Sequence, residues 1–184
     1  SVRKLGVIGA GMMGAGIAYV SALAGIEVVL IDATQEAADR GRAHSEAILD
    51  KGMKRGKVTA DKKAEVLARI TATTDYTALK GADLIVEAVF EDPKIKADVT
   101  AKVEAVTDCV YATNTSTLPI TGLAAASKRP ESFIGIHFFS PVDKMNLVEI
   151  IRGKKTGDVA VAKALDFVRQ IRKTPIVVND ARFF

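Results

Sequence analysis

Cysteine is almost missing from this chain. The single Cys109 has no second cysteine with which to form an internal disulfide, as suits a reducing compartment. Long apolar runs are missing too. None approaches the roughly 18 residues of a membrane-spanning helix. The N-terminal "SVRKLGVIGA" passes straight into a strand pattern, without an apolar segment and cleavage site, so no secretory leader is expected. Aromatic residues are only 5% of 184, and the net charge of +4 is modest. With few rings to stack on bases and little excess charge, nucleic acid is not an expected partner. Histidine is scarce as well, with two in the chain.

What is present is an alternation of strand and helix patterns long enough to enclose one sizeable core. "KLGVIGA" is a short apolar run stopped by glycines, hence a buried strand. A helix follows, with apolar positions at Met13, Ile17, Val20 and Ala24, ending at Gly25. Ile26–Asp32 is a second buried strand, and Thr34 can cap a helix running to about Lys51. Helical pattern returns over Ala60–Ala68, with a strand near Ile70. Ala82–Val89 is a continuous apolar strand, and Pro93 suits the first turn of the helix after it, which runs to about Val106. "CVYATNT", "FIGIHFF", "MNLVEII" and "PIVVN" complete the strands, with a short helix after Pro119 and a longer one over Asp158–Ile171. This order predicts a doubly wound, mostly parallel Rossmann-type sheet in three α-β-α layers. Tight connections between the last strands predict antiparallel pairing on the C-terminal side.

The first strand opens into Gly9-x-Gly11-x-x-Gly14, and Asp32 ends the second strand 18 residues after Gly14. A bare glycine pattern is weak, but this one follows a strand, begins a helix and has its acid at the right distance. Gly9 permits the tight turn, Gly11 lets the backbone approach a pyrophosphate, and Gly14 lets helix and strand pack closely. Met12 and Met13, which fall between these glycines, join Gly9, Gly11 and Gly14 as cofactor-binding candidates. Asp32 can accept hydrogen bonds from ribose hydroxyls and would repel a 2′-phosphate, so NAD is expected over NADP.

Three further features follow strands, where such sheets bind ligands: the polar loop "ATNTSTLPI", His137 and Glu149. A histidine inside an apolar strand is ordinarily a core residue. A glutamate in "LVEII" is harder to dismiss, because a buried carboxylate needs a partner. Pairing the two strands as a hairpin puts imidazole and carboxylate side by side, and a carboxylate on one ring nitrogen prepares the other as a base. The segment Asp50–Lys63 gathers six Lys or Arg residues. It is either a solvated helix pair or a docking surface for a polyanionic small molecule.

The motifs "GAGMMGAGIA", "VEAVFEDPKIK", "ATNTSTLPI" and "GIHFFSPVDKMNLVEII" cover nearly the whole chain. In them the chain resembles the NAD-binding domain of L-3-hydroxyacyl-CoA dehydrogenase, above all that of the multifunctional fatty-acid β-oxidation enzymes. The resemblance implies an oxidoreductase domain acting on 3-hydroxyacyl-CoA. His137 is then the general base, Glu149 its orienting partner, Ser116 the hydrogen-bond donor to the substrate oxygen and Asn114 the support of that loop. Glu91 and Lys96 match positions that face the cofactor, and Ser116 and Ser140 join them. Some relatives carry asparagine where this chain has Ser140. The basic segment would lie near the phosphates of CoA.

The resemblance further implies that residues 1–184 are one domain of a longer polypeptide. A C-terminal helical domain would complete it, with a fused enoyl-CoA hydratase region, and Phe183 and Phe184 would form an exposed apolar end. The implied compartment is the cytoplasm in a bacterium and the peroxisome in a eukaryote. Two other readings stay open: a non-catalytic NAD-binding module, and a dehydrogenase of a free 3-hydroxy acid.

Overall fold

Continuous apolar runs make strands that are buried on both faces. In the computed structural model, which describes residues 1–180, eight such runs form one sheet. They are β1 (Lys4–Ile8), β2 (Glu27–Ile31), β3 (Ile70–Thr73), β4 (Leu84–Glu87), β5 (Val110–Thr113), β6 (Phe133–Phe138), β7 (Leu147–Arg152) and β8 (Thr174–Asn179). Their spatial order is β3-β2-β1-β4-β5-β6-β7-β8. The first six strands are parallel and take the order of a doubly wound dinucleotide-binding sheet.

Side chains alternate across each strand. Val28 and Leu30 of β2 enter one apolar core, while Val29 and Ile31 enter the other. The first core is closed by α1 (Met12–Leu23), α2 (Gln35–Lys54), α3 (Ala60–Ala68) and α6 (Asp158–Gln170). The second is closed by α4 (Pro93–Glu104), α5 (Ile120–Leu123) and a three-ten turn over Tyr76–Leu79. These are the three expected layers. Among the described residues, no helix is long and apolar enough to cross a membrane.

Helix limits follow local chemistry. The Thr34 hydroxyl accepts from the Ala37 amide at 3.1 Å and starts α2. The Asp92 carboxylate accepts from the Lys94 amide at 2.8 Å and starts α4 beside Pro93. The second helix runs to Lys54, past the expected Lys51, because the stop comes from left-handed Gly56, at φ 70°.

The expected antiparallel pairing is half right. β6 and β7, joined by a short loop, are antiparallel. β7 and β8 are parallel to each other, because the chain between them passes through α6, and a parallel pair needs such a crossover. Together they run against the other six strands. Phe183 and Phe184 lie outside the described residues.

The parallel topology sets where a ligand can go. The chain leaves β1 and turns one way and leaves β4 and turns the other, opening a crevice at the carboxyl ends of the strands. Gly9 sits there at φ 100°, and a Cβ on it would lie 2.6 Å from the Ala88 carbonyl oxygen. A Cβ on Gly14 would collide with the Gly9 carbonyl. Helix α1 therefore starts in contact with the loop that feeds it.

Candidate active site

The crevice is a cleft of about 1100 Å³, just above the usual size range of small-molecule sites. Gly9, Gly11, Met12 and Met13 line one wall, with Asp32 at one end. Glu91, Asn114, Ser116, His137 and Ser140 line the rest. The structure thus brings together ten of the thirteen residues singled out in the sequence. Gly14 lies beneath the wall, in the packing role its spacing assigned. Glu149 lines a second, smaller cavity of about 210 Å³, which shares Ser116 and His137 with the cleft. Lys96 is only 2% exposed and is not among the residues that line the cleft. Its ammonium is drawn inward by oxygen atoms at the ends of β4 and β5.

The cofactor end has the features a dinucleotide requires. Helix α1 has Gly11 as N-cap, no side-chain cap and no acid in its first turn. Its first amides are left to bind an anion, whereas Thr34, Thr59 and Asp92 cap the next three long helices. A Cβ on Gly11 would meet no protein atom within 4 Å and would project into open space. The protein itself does not demand glycine there, so close approach of a ligand is what the position favours. Asp32 is fixed by its neighbours: Oδ2 accepts from the Ala10 amide at 2.8 Å and Oδ1 from the Ala33 amide at 2.6 Å. Those bonds tie the ends of β1 and β2 together and leave lone pairs for hydroxyl donors.

The proton-handling end is built on β6 and β7. His137 and Glu149 are directly opposite each other in the antiparallel ladder. Alternation sends Ile136, Phe138, Val148 and Ile150 into the core beneath α6, so His137 and Glu149 emerge on the other face. There the polar loop after β5 leaves the smaller cavity open. His137 Nδ1 lies 2.9 Å from Glu149 Oε1. A carboxylate only accepts, so Nδ1 donates and Nε2 remains an acceptor. The Phe139 ring packs against the imidazole, centred 4.5 Å from it and tilted by 49°.

Asn114 joins the two halves. Its amide donates to the Glu87 carbonyl at 2.7 Å, and its side-chain Oδ1 accepts from the Phe138 amide at 3.0 Å. Glu91 is held by the same loop, accepting from the Thr115 hydroxyl at 2.7 Å and the Thr117 hydroxyl at 2.8 Å. Burial pushes its carboxyl up. The two hydroxyls and the Lys96 ammonium outweigh that and hold it below the ordinary carboxylate range. The Ser140 hydroxyl faces Met12 Sδ at 3.8 Å, so the loop after β6 meets the glycine turn across the cleft.

Sequence reasoning missed a wall and a floor. The wall near Asp32 is made by Tyr76 and by Ile95, Val99 and Lys102 of α4. The i, i+4, i+7 spacing of those three was visible, but ordinary core packing explains such a stripe equally well. Lys102 lies over the Tyr76 ring at 5.9 Å and pairs with Asp98 at 3.2 Å. The missed floor residue is Glu87, 1% exposed at the end of β4. Burial raises its carboxyl above the ordinary value, and Lys96, Thr113 and the Val89 amide offset part of that rise. The basic segment stays exposed around Lys51, Lys54, Arg55 and Lys57 and lines neither cavity.

Residues 4–181 match the family described as "3-hydroxyacyl-CoA dehydrogenase, NAD binding domain". The whole chain is similar, at 49% identity, to the fatty acid oxidation complex subunit alpha of Idiomarina loihiensis, of which it spans 26%. The fold is similar to that of (S)-3-hydroxybutyryl-CoA dehydrogenase from Ralstonia eutropha, with a TM-score of 0.95 and 39% identity over 98% of this chain and 65% of that one. It is also similar to the dehydrogenase part of multifunctional enzyme 1 from C. elegans, with a TM-score of 0.87 and 32% identity over 100% of this chain and 43% of that one. With nearly every described residue inside the match, the chain belongs to the family of NAD-binding domains of the 3-hydroxyacyl-CoA dehydrogenases.

Proposed function

We propose that the chain is the NAD-binding and catalytic-base domain of an oxidoreductase that converts (S)-3-hydroxyacyl-CoA to 3-oxoacyl-CoA in fatty-acid β-oxidation. It would act within a longer polypeptide that adds a helical domain and an enoyl-CoA hydratase region. The observation that carries this reading is the His137–Glu149 pair, set where the large cleft meets the smaller cavity. A cofactor in one and a substrate in the other would meet at the imidazole.

When bound, NAD would supply the acceptor for the hydride leaving C3 of the substrate. The amides of Met12 and Met13 would hold its pyrophosphate and Asp32 its ribose hydroxyls, with Glu91 and Ser140 flanking it. His137 takes the proton of the 3-hydroxyl at Nε2. Glu149 keeps Nδ1 protonated, fixes the ring plane and balances the charge that the imidazole gains. Ser116, exposed between the cavities, donates to the substrate oxygen. Asn114 keeps that loop in step with the end of β6. The exposed lysines and arginine of Lys51–Lys57 would meet the phosphates of the CoA moiety.

The test is NADH oxidation at 340 nm by the full natural polypeptide that contains this chain. Acetoacetyl-CoA should be reduced with NADH in preference to NADPH, and His137→Gln should lower the rate by about a hundredfold or more. Equal use of NADPH would remove the role given to Asp32. Equal turnover of free acetoacetate would remove the CoA ester from the proposal. Full activity of His137→Gln would remove the base.

A further inference from the structure

The chain between β6 and β7 reaches the cleft only at its start, where Phe139 and Ser140 join the wall. Residues 141–146 line neither cavity, yet they are held from two sides. Within the connection, the amides of Lys144 and Met145 both donate to the Pro141 carbonyl at 3.0 Å. On the α1 side, Val142 is 3% exposed and rests on Gly16, where a Cβ would lie 2.7 Å from Val142 Cβ.

On the other side stands the turn from α6 into β8. The chain leaves α6 through Arg172, at φ 64°. The next side chain, Lys173, donates from Nζ to the Val142 carbonyl and to the Met145 carbonyl, at 2.6 Å each. Beside it the Thr174 amide donates to the Asn146 carbonyl at 2.9 Å, and the Asn146 side-chain amide donates to the Thr174 hydroxyl at 2.8 Å. A surface lysine ordinarily keeps its ammonium in water and its rotamers free. This one gives up both, and burial pulls its pKa below the ordinary value, with nearby Asp143 offsetting part of the fall. In return it makes two charge-assisted bonds to carbonyls that no strand pairs. Those carbonyls flank the segment that feeds Ser140, opposite Met12, and Phe139, against the His137 ring.

We propose that Lys173 is a positioning residue, which pins the β6–β7 connection against α1 and thereby sets Ser140 and Phe139 on the cleft wall. In its bearing on cofactor binding, this inference rests on the function proposed above. The pinning of the connection does not.

The test uses the full natural polypeptide and separates pinning from stability. Lys173→Met keeps the stem and removes the donors. Its Met145 amide should exchange with deuterium at least about tenfold faster. The Ala88 amide, which bonds the Ile8 carbonyl inside the sheet at 2.7 Å, reports general opening and should change far less. NADH affinity by fluorescence titration should fall about three- to tenfold. Asp143→Asn, which removes the nearby charge but neither carbonyl bond, should leave Met145 exchange and NADH affinity at parental values. Should Lys173→Met fail to fold, Lys173→Gln is read by the same two amides and the same titration. Equal acceleration at Met145 and Ala88 would reduce Lys173 to a contributor to stability and overturn the inference. So would a loosened Met145 with parental NADH affinity, or an Asp143→Asn protein as loose as Lys173→Met. If the parent binds no NADH, the proposed function falls, and Met145 exchange measured against Ala88 alone decides the pinning.

Discussion

Replacing Gly14 by alanine tests whether contact between α1 and the glycine turn is what shapes the cofactor wall. A Cβ at residue 14 would sit 2.8 Å from the Gly9 carbonyl carbon and closer still to its oxygen. An ordinary carbon–carbon contact needs about 3.5 Å, so the two backbones must part by at least roughly 0.7 Å. Neither side can yield by turning a side chain. Gly9 is itself confined, with φ at 100° and the Ala88 carbonyl where its own Cβ would be. Two effects oppose each other. Alanine stabilises a helix interior by about 1 kcal/mol over glycine, and overpacking a tight contact costs about 1–3 kcal/mol. With backbone pressed on backbone, the upper part of that range applies, for a net loss of about 1–2 kcal/mol. Binding should suffer more than folding, because the displaced atoms are the amides that would face the pyrophosphate. A tenfold or greater loss of NADH affinity corresponds to at least about 1.4 kcal/mol. Gly122→Ala is the control: a Cβ there meets only Pro119 Cγ, at 3.6 Å, so affinity and urea midpoint should hold. The assay is NADH fluorescence titration beside urea denaturation. A Gly14→Ala chain with parental affinity and midpoint would refute the reasoning.

Glu149→Gln in the full polypeptide keeps shape but removes the counter-charge, and should cost at least about tenfold in turnover, or 1.4 kcal/mol, with NADH affinity unchanged. An unchanged rate would make the pair structural. Glu91 has a carboxyl held low in the folded chain. Its contribution to stability is therefore complete above the unfolded value of about 4.3 and is lost as pH falls through the folded one. The urea midpoint of the parent should exceed that of Glu91→Gln at pH 7 by a small margin, under about 1 kcal/mol for a side chain this exposed, and the two should converge in acid. A gap that does not change with pH would contradict the assignment.

The strands, the glycine turn and Asp32 were legible because each rests on local chemistry: apolar runs, a left-handed turn, a carboxylate at a strand end. The His137–Glu149 contact was legible because period-two alternation and a short connection determine a hairpin register. The direction of the Lys96 ammonium was not legible, for a physical reason. Its helical spacing puts it on the α4 face toward the sheet, but whether a lysine there turns outward or inward depends on Glu87 and Thr113, from two other strands. Glu87 itself carried the signal that drew attention to Glu149, an acid inside an apolar strand, but its partner lies nine residues on and was assigned elsewhere. The direction of β8 was hidden because α6 was read without counting the reversal it imposes.

The reversal of β7 has a consequence for how the molecule assembles. In a parallel sheet, neighbouring strands meet only after a long crossover, and their contacts are slow to form. His137 and Glu149 are twelve positions apart, whereas the glycine turn is braced by Ala88, whose amide bonds Ile8 across 80 residues. Closing the shorter loop is less costly in entropy. The hairpin that holds the proton-handling pair can therefore form early and by itself, while the cofactor wall waits for the whole sheet. A folding chain would possess its histidine–glutamate pair before it possessed anywhere to put a dinucleotide.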